Sequence, residues 1–147
     1  KAEALGMNVI FNDMYVKKHE KYQYCSVEEL LKKADYISLH VPSTDKPIIG
    51  REEFELMKDG VFIINAARGG AVDEAALLEA LDKGKVAGAG LDVFAQEPKP
   101  NPALCNHPNV SCTPHIGAAT EEAQRRIGEE AVTLVMDFCS CLESKVV

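Results

Sequence analysis

A chain of 147 residues is long enough for one domain with a sizeable core, because a fold of this length buries roughly two-thirds of the surface exposed by its unfolded chain. Sixteen basic residues against 23 acidic ones give a net charge of −7, which argues against a nucleic-acid backbone or an anionic membrane as partner. Five cysteines, an odd number with no C-x-x-C pair, indicate neither a disulfide framework nor a metal site and fit a reducing, cytoplasmic setting. No apolar run approaches the ~20 residues of a membrane span, and the N-terminus lacks the apolar stretch of a signal peptide.

Lys1 to Leu5 reads as the last turn of a helix stopped by Gly6, so the chain is expected to begin in mid-element. Met7 to Phe11 is a short apolar run with β-branched residues, expected as a buried strand with Asn12 and Asp13 at its tip. Ser26-Val-Glu-Glu29 is a capping box that opens a helix over Val27 to Lys33. Tyr36 to His40 is the next strand, stopped by Pro42. Arg51 to Lys58 is a short helix ended by Gly60, and Val61 to Ala66 is a strand whose consecutive apolar residues predict burial on both faces. Asp73 caps a helix over Glu74 to Lys83, with Leu77, Leu78 and Leu81 as its apolar face and Gly84 as its stop.

Val86 to Val93 reads as a strand weakened by Gly88 and Gly90, where a backbone or a ligand is expected to pass close by. A Pro-rich loop from Glu97 to Pro102 follows, then a strand at Val110 to Thr113 and a long helix from about Thr120 to Cys141. That helix carries Ala123, Ile127, Ala131, Leu134, Val135 and Phe138 at helical spacing. Alternation of strand and helix predicts an α/β fold with a parallel sheet covered on both faces. His19 and His107 lie in polar turns and are expected to be solvated, and Cys139 and Cys141 read as packing or exposed thiols.

Arg68, Glu97 and His115 are the chemistry-bearing side chains next to the ends of these strands, where open α/β folds place their ligands. A guanidinium followed by Gly69-Gly70 can grip a carboxylate through two parallel hydrogen bonds, or it can be a surface arginine paired with Asp73 or Glu74. His115 has an imidazole suited to proton exchange near neutral pH, although a lone histidine is more often structural. Glu97 alone would read as a loop carboxylate, and Asp13 alone as a turn or capping residue.

Three motifs in order, Asn65-Ala-Ala-Arg-Gly-Gly-Ala-Val-Asp-Glu74, Ala87-Gly-Ala-Gly-Leu-Asp-Val-Phe94 with Glu97-Pro98, and Thr113-Pro-His-Ile-Gly-Ala-Ala-Thr120, resemble the nucleotide-binding domain of the NAD-dependent D-2-hydroxyacid dehydrogenases. The resemblance covers Met7 to about Gly128 and implies a Rossmann-type doubly wound parallel sheet, N-terminally incomplete because the first strand and its glycine-rich turn do not appear in this sequence. It implies that residues 1–119 are a partial nucleotide-binding domain and that residues 120–147 form a crossover helix returning toward a substrate domain. It further implies that Arg68 binds the substrate carboxylate, that His115 exchanges the substrate proton, and that Glu97 orients the imidazole.

The same resemblance implies that NAD is the cofactor. Asp13 would accept from the adenosine ribose, His40, Val41 and Pro42 would line the adenine pocket, Ala66 and Ala67 would allow close approach, and Asp92 would meet the nicotinamide. Arg68, His115 and Gly117 would complete that contact set. Glu122-Ala-Gln-Arg-Arg126 is most similar to the phosphoglycerate dehydrogenase branch, which implies oxidation of 3-phosphoglycerate in serine biosynthesis. A glyoxylate or hydroxypyruvate reductase, or an NAD-sensing corepressor, are the alternatives. A small 2-hydroxyacid or 2-oxoacid and a homo-oligomeric partner follow from the same family, with no nucleic acid, membrane or metal.

Overall fold

Parallel strands that are rich in β-branched residues and linked by capped helices organise the computed structural model, which describes residues 1–143. Strand β1 (Ile10–Phe11) pairs in parallel with β2 (Gln23–Tyr24), and helix α1 (Val27–Lys33) leads to β3 (Tyr36–Leu39). Helix α2 (Arg51–Leu56), β4 (Val61–Asn65), α3 (Glu74–Asp82), β5 (Val86–Leu91), α4 (Pro102–Cys105), β6 (Val110–Cys112) and the long α5 (Glu121–Glu143) follow. The four later strands form one parallel sheet in the order β3-β4-β5-β6. Among the described residues the order is thus β2-β1 and β3-β4-β5-β6 in two separate sheets.

Helix ends follow local chemistry. Ser26 and Glu29 form the reciprocal capping box of α1, and Asp73 accepts from the amides of Ala75 and Ala76 to start α3. Gly84 closes α3 at φ 72°, a left-handed value that costs glycine little. The side chains of one sheet face, from Ile37, Leu39, Ile63, Ala89 and Leu91, are buried with Phe54, Met57, Leu77, Leu81 and Leu104 in one core. The strand registers Leu39–Asn65–Leu91–Cys112 align the carboxyl ends of all four strands at one edge.

Several expectations are corrected by the structure. Ladder bonding does not extend over Met7 to Phe11. It is confined to Ile10–Phe11, because the partner β2 is only two residues long, and Met7 is exposed. The sheet β3 to β6 is not buried on both faces. Tyr36 and Phe62, in register on the second face, are exposed and stack on each other with centroids 4.9 Å apart. The close backbone expected beside Gly88 is present, since a Cβ there would lie 3.2 Å from the Asn109 carbonyl oxygen as well as 3.1 Å from the Phe62 ring, whereas Gly90 has open space around it. The Pro-rich loop contains the short helix α4, begun by the Asn101 side chain with Pro102 in its first turn, where a missing N–H costs nothing.

Two compact units divide the chain, Lys1–Thr113 and the residues from Pro114 onward. In the second, Thr120 caps α5 through its hydroxyl to the Ala123 amide, and Gln124 donates to the Ala118 carbonyl. Ala123 is buried, while Ile127, Val132, Leu134, Val135, Met136 and Phe138 are all exposed.

Candidate active site

The carboxyl edge of the sheet collects the residues that carry chemistry in the first unit. Past β3, the ring Nε2 of His40 lies 2.9 Å from Ser38 Oγ, half-buried Val41 packs against the core, and Pro42 is exposed. Past β4, Ala66 is exposed, Ala67 is buried and Arg68 is exposed. Arg68 donates through Nη1 to the Ala67 carbonyl at 2.6 Å.

The turn that presents Arg68 is built by Asn65, the one buried polar residue among the described residues. Its Nδ2 donates to the Arg68 carbonyl at 3.0 Å, and its Oδ1 accepts from the Ala67 amide at 3.1 Å. Its backbone carbonyl accepts from the Asp92 amide at 2.9 Å, tying the ends of β4 and β5 together. The carboxylates nearest Arg68 in sequence bond to other groups. Asp73 accepts from Ala75 and Ala76, and Glu74 accepts from the Ala95 amide at 2.7 Å.

Past β5, Asp92 Oδ1 accepts from the Thr113 hydroxyl at 2.6 Å, and the Thr113 amide donates to the Leu91 carbonyl. Glu97 Oε1 accepts from the Phe94 amide at 2.9 Å, so its carboxylate is bound into its own loop. The structure therefore brings the Arg68 turn and the Glu97 loop side by side. Gly69 is the contact point, where a Cβ would sit 1.9 Å from the Phe94 carbonyl group. His115 and Gly117 belong to the second unit, and His115 has the left-handed φ of 55°. For a residue with a Cβ that conformation is uncommon and costs roughly 1–2 kcal/mol, a strain that clusters at functional positions.

Asp13 lies just past β1, where its Oδ1 accepts from the Tyr15 and Val16 amides at 2.8 Å each. Those donors, with Lys17 beside it, hold its carboxyl below the ordinary aspartate range, so it is ionised at neutral pH. An ionised acceptor past β1 and a row of small and polar residues along the carboxyl edge make a donor and acceptor set that fits a dinucleotide. Cys112, next to Thr113, is not a nucleophile in this setting. Although Cys112 is exposed, partial desolvation and the Cys105 thiol push it up to about 11, so it stays a thiol at neutral pH.

Sequence reasoning missed Asn65 and Glu74 as builders of the site. The visible signal for Asn65 was a lone amide closing an apolar strand. His107 is not solvated as expected. Its side chain is 11% exposed, 3.5 Å from Asp82, and its Nδ1 accepts from the Asn109 amide. His19 stacks on Tyr22 and accepts from the Lys21 amide.

The family model described as D-isomer specific 2-hydroxyacid dehydrogenase, NAD binding domain, matches residues 1–117. The chain is 50% identical over 136 residues to the D-3-phosphoglycerate dehydrogenase of Methanocaldococcus jannaschii, covering 87% of this chain and 26% of that protein. It is 48% identical over 138 residues to the hydroxypyruvate reductase of Thermotoga maritima, covering 90% and 45%. A solved D-lactate dehydrogenase from Aquifex aeolicus, complexed with NAD and lactic acid, superposes with TM-score 0.77 at 41% identity, covering 94% of this chain and 48% of that one. The chain thus spans between about a quarter and a half of the length of these proteins. With its parallel sheet and this match over most of its length, the chain belongs to the family of D-isomer specific 2-hydroxyacid dehydrogenase NAD-binding domains.

Proposed function

We propose that this chain is the NAD-binding part of an enzyme that oxidises a D-2-hydroxyacid to the 2-oxoacid and runs the reverse reduction. The observation that carries the reading is the Arg68 turn held against the Glu97 loop at the carboxyl edge of the sheet, with His115 two residues beyond the anchored Thr113. Asp13, His40, Val41, Pro42, Ala66, Ala67, Asp92 and Gly117 would hold NAD, which when bound accepts or supplies the hydride.

Arg68 grips the substrate carboxylate and draws electron density from the neighbouring carbonyl. His115 takes the hydroxyl proton during oxidation and returns it during reduction. Glu97 accepts from the other ring nitrogen, fixes the tautomer and stabilises the imidazolium. In this reading residues 120–147 are the crossover toward a substrate domain. The whole enzyme is a cytoplasmic homo-oligomer, a setting that suits cysteines outside any disulfide, Cys25, Cys105, Cys112, Cys139 and Cys141.

Within this class we assign 3-phosphoglycerate as substrate, supported by relatives named D-3-phosphoglycerate dehydrogenase. A second reading, glyoxylate or hydroxypyruvate reductase, is favoured by relatives so named at comparable identity. NADH oxidation by the full-length enzyme separates them. The first reading expects a higher kcat/KM for 3-phosphohydroxypyruvate than for hydroxypyruvate or glyoxylate, and the reverse order overturns it.

A further inference from the structure

We propose that Glu74 is a positioning residue, whose carboxylate clamps the loop carrying Glu97 against the turn carrying Arg68. This rests on the reading that Glu97 serves the imidazole of His115. Glu74 is the first residue of α3, and its Oε1 accepts from the Ala95 amide at 2.7 Å, across 21 residues of sequence. A short bond to an ionised acceptor is about twice as strong as a neutral one. The adjacent amide, that of Phe94, donates to Glu97 Oε1 at 2.9 Å. Two neighbouring amides of one loop are therefore held by two carboxylates, one fixed to a helix and the other belonging to the site.

The Phe94–Ala95 peptide, whose N–H donates to Glu74, also meets the Arg68 turn with no side chain between them. A Cβ on Gly69 would lie 1.9 Å from the Phe94 carbonyl carbon and oxygen and 2.5 Å from the Ala95 nitrogen. The Arg68 turn is itself anchored by buried Asn65. With Asn65 fixing one turn and Glu74 pressing the other onto it, the separation of the guanidinium from the Glu97 carboxylate is set by backbone contact. A carboxylate in the first turn of a helix can also act only on the helix dipole. That role needs the charge, whereas a clamp needs the acceptor oxygen.

The two roles separate in the full-length enzyme. Glu74→Gln keeps an acceptor oxygen and removes the charge, while Glu74→Ala removes both. A clamp predicts that Glu74→Ala loses about tenfold in kcat with a smaller change in KM. For oxidation of the hydroxyacid it predicts that the acid limb of the kcat/KM profile moves to lower pH, because a displaced Glu97 no longer favours the imidazolium. It also predicts faster hydrogen exchange of the Phe94 and Ala95 amides, and recovery of all three readouts toward wild type in Glu74→Gln. Equal impairment of the two variants, or a loss of thermal stability in Glu74→Ala with the pH profile and loop exchange unmoved, overturns the clamp. An enzyme that turns over no D-2-hydroxyacid overturns only the proposed function, and the amide exchange still decides the clamp.

Discussion

Gly69 is where two loops of the site share one space. A methyl group there would overlap the Phe94 carbonyl at 1.9 Å, and the atoms it meets are backbone, which cannot swing aside as a flexible side chain does. Overpacking of this kind costs about 1–3 kcal/mol. Gly69→Ala is therefore expected to lower the unfolding free energy by an amount in that range, read as a lower urea midpoint with little change in slope. An unaltered midpoint would show that the loops part easily and that their contact fixes nothing. At this scale the reactive side chains were legible, because Arg68, Glu97 and His115 are charged or titratable residues set beside glycine, alanine and proline. Their supports were not. Asn65, Glu74 and Thr113 act through bonds to backbone groups or side chains that lie 21 residues away or in a tight turn, and spacing along the sequence carries no trace of them.

Elements whose ends are set by local chemistry are the ones the sequence places best. Helix α1 runs over Val27–Lys33 as expected because both halves of its capping box lie within four residues. Ser26→Ala is expected to cost about 1 kcal/mol at pH 7. The Ser26 amide and hydroxyl hold the Glu29 carboxyl below its ordinary range, so this support is complete above the unfolded value of about 4.3. It is lost as pH falls through the lower folded value. The gap between wild type and Ser26→Ala should then narrow in acid, and a constant gap in a stability series from pH 7 to pH 3 would rule out the part of the hydroxyl–carboxylate bond.

Elements set by distant partners were misjudged. The run Met7 to Phe11 has strand composition, but its ladder is limited by the two-residue β2, which composition alone did not reveal. Phe62 looked like core because its neighbours are apolar, yet it faces outward beside Tyr36 on the uncovered side of the sheet. Apolar runs report burial on both faces only when something lies on both faces.

For the molecule as a whole, the parallel order β3-β4-β5-β6 turns four separate strand ends into one edge, beside which Arg68, Asp92 and Glu97 follow their strands. The family was legible in three motifs, the first two of which follow β4 and run through β5 to the loop past it. Helix α5, in the second unit, exposes Leu134, Val135 and Phe138 together, a surface larger than isolated surface apolar residues require. In the proposed enzyme this is the crossover helix that packs toward the substrate domain.

The central claim is that His115 moves the substrate proton while the rest of the chain holds NAD. The most direct measurement is kcat for the full-length enzyme carrying His115→Ala, alongside NADH affinity followed by nicotinamide fluorescence. Loss of general acid–base catalysis predicts a fall of about 10²- to 10⁴-fold in kcat with NADH affinity preserved. A variant that retains kcat within a few-fold of wild type, with NADH bound as before, would contradict the account.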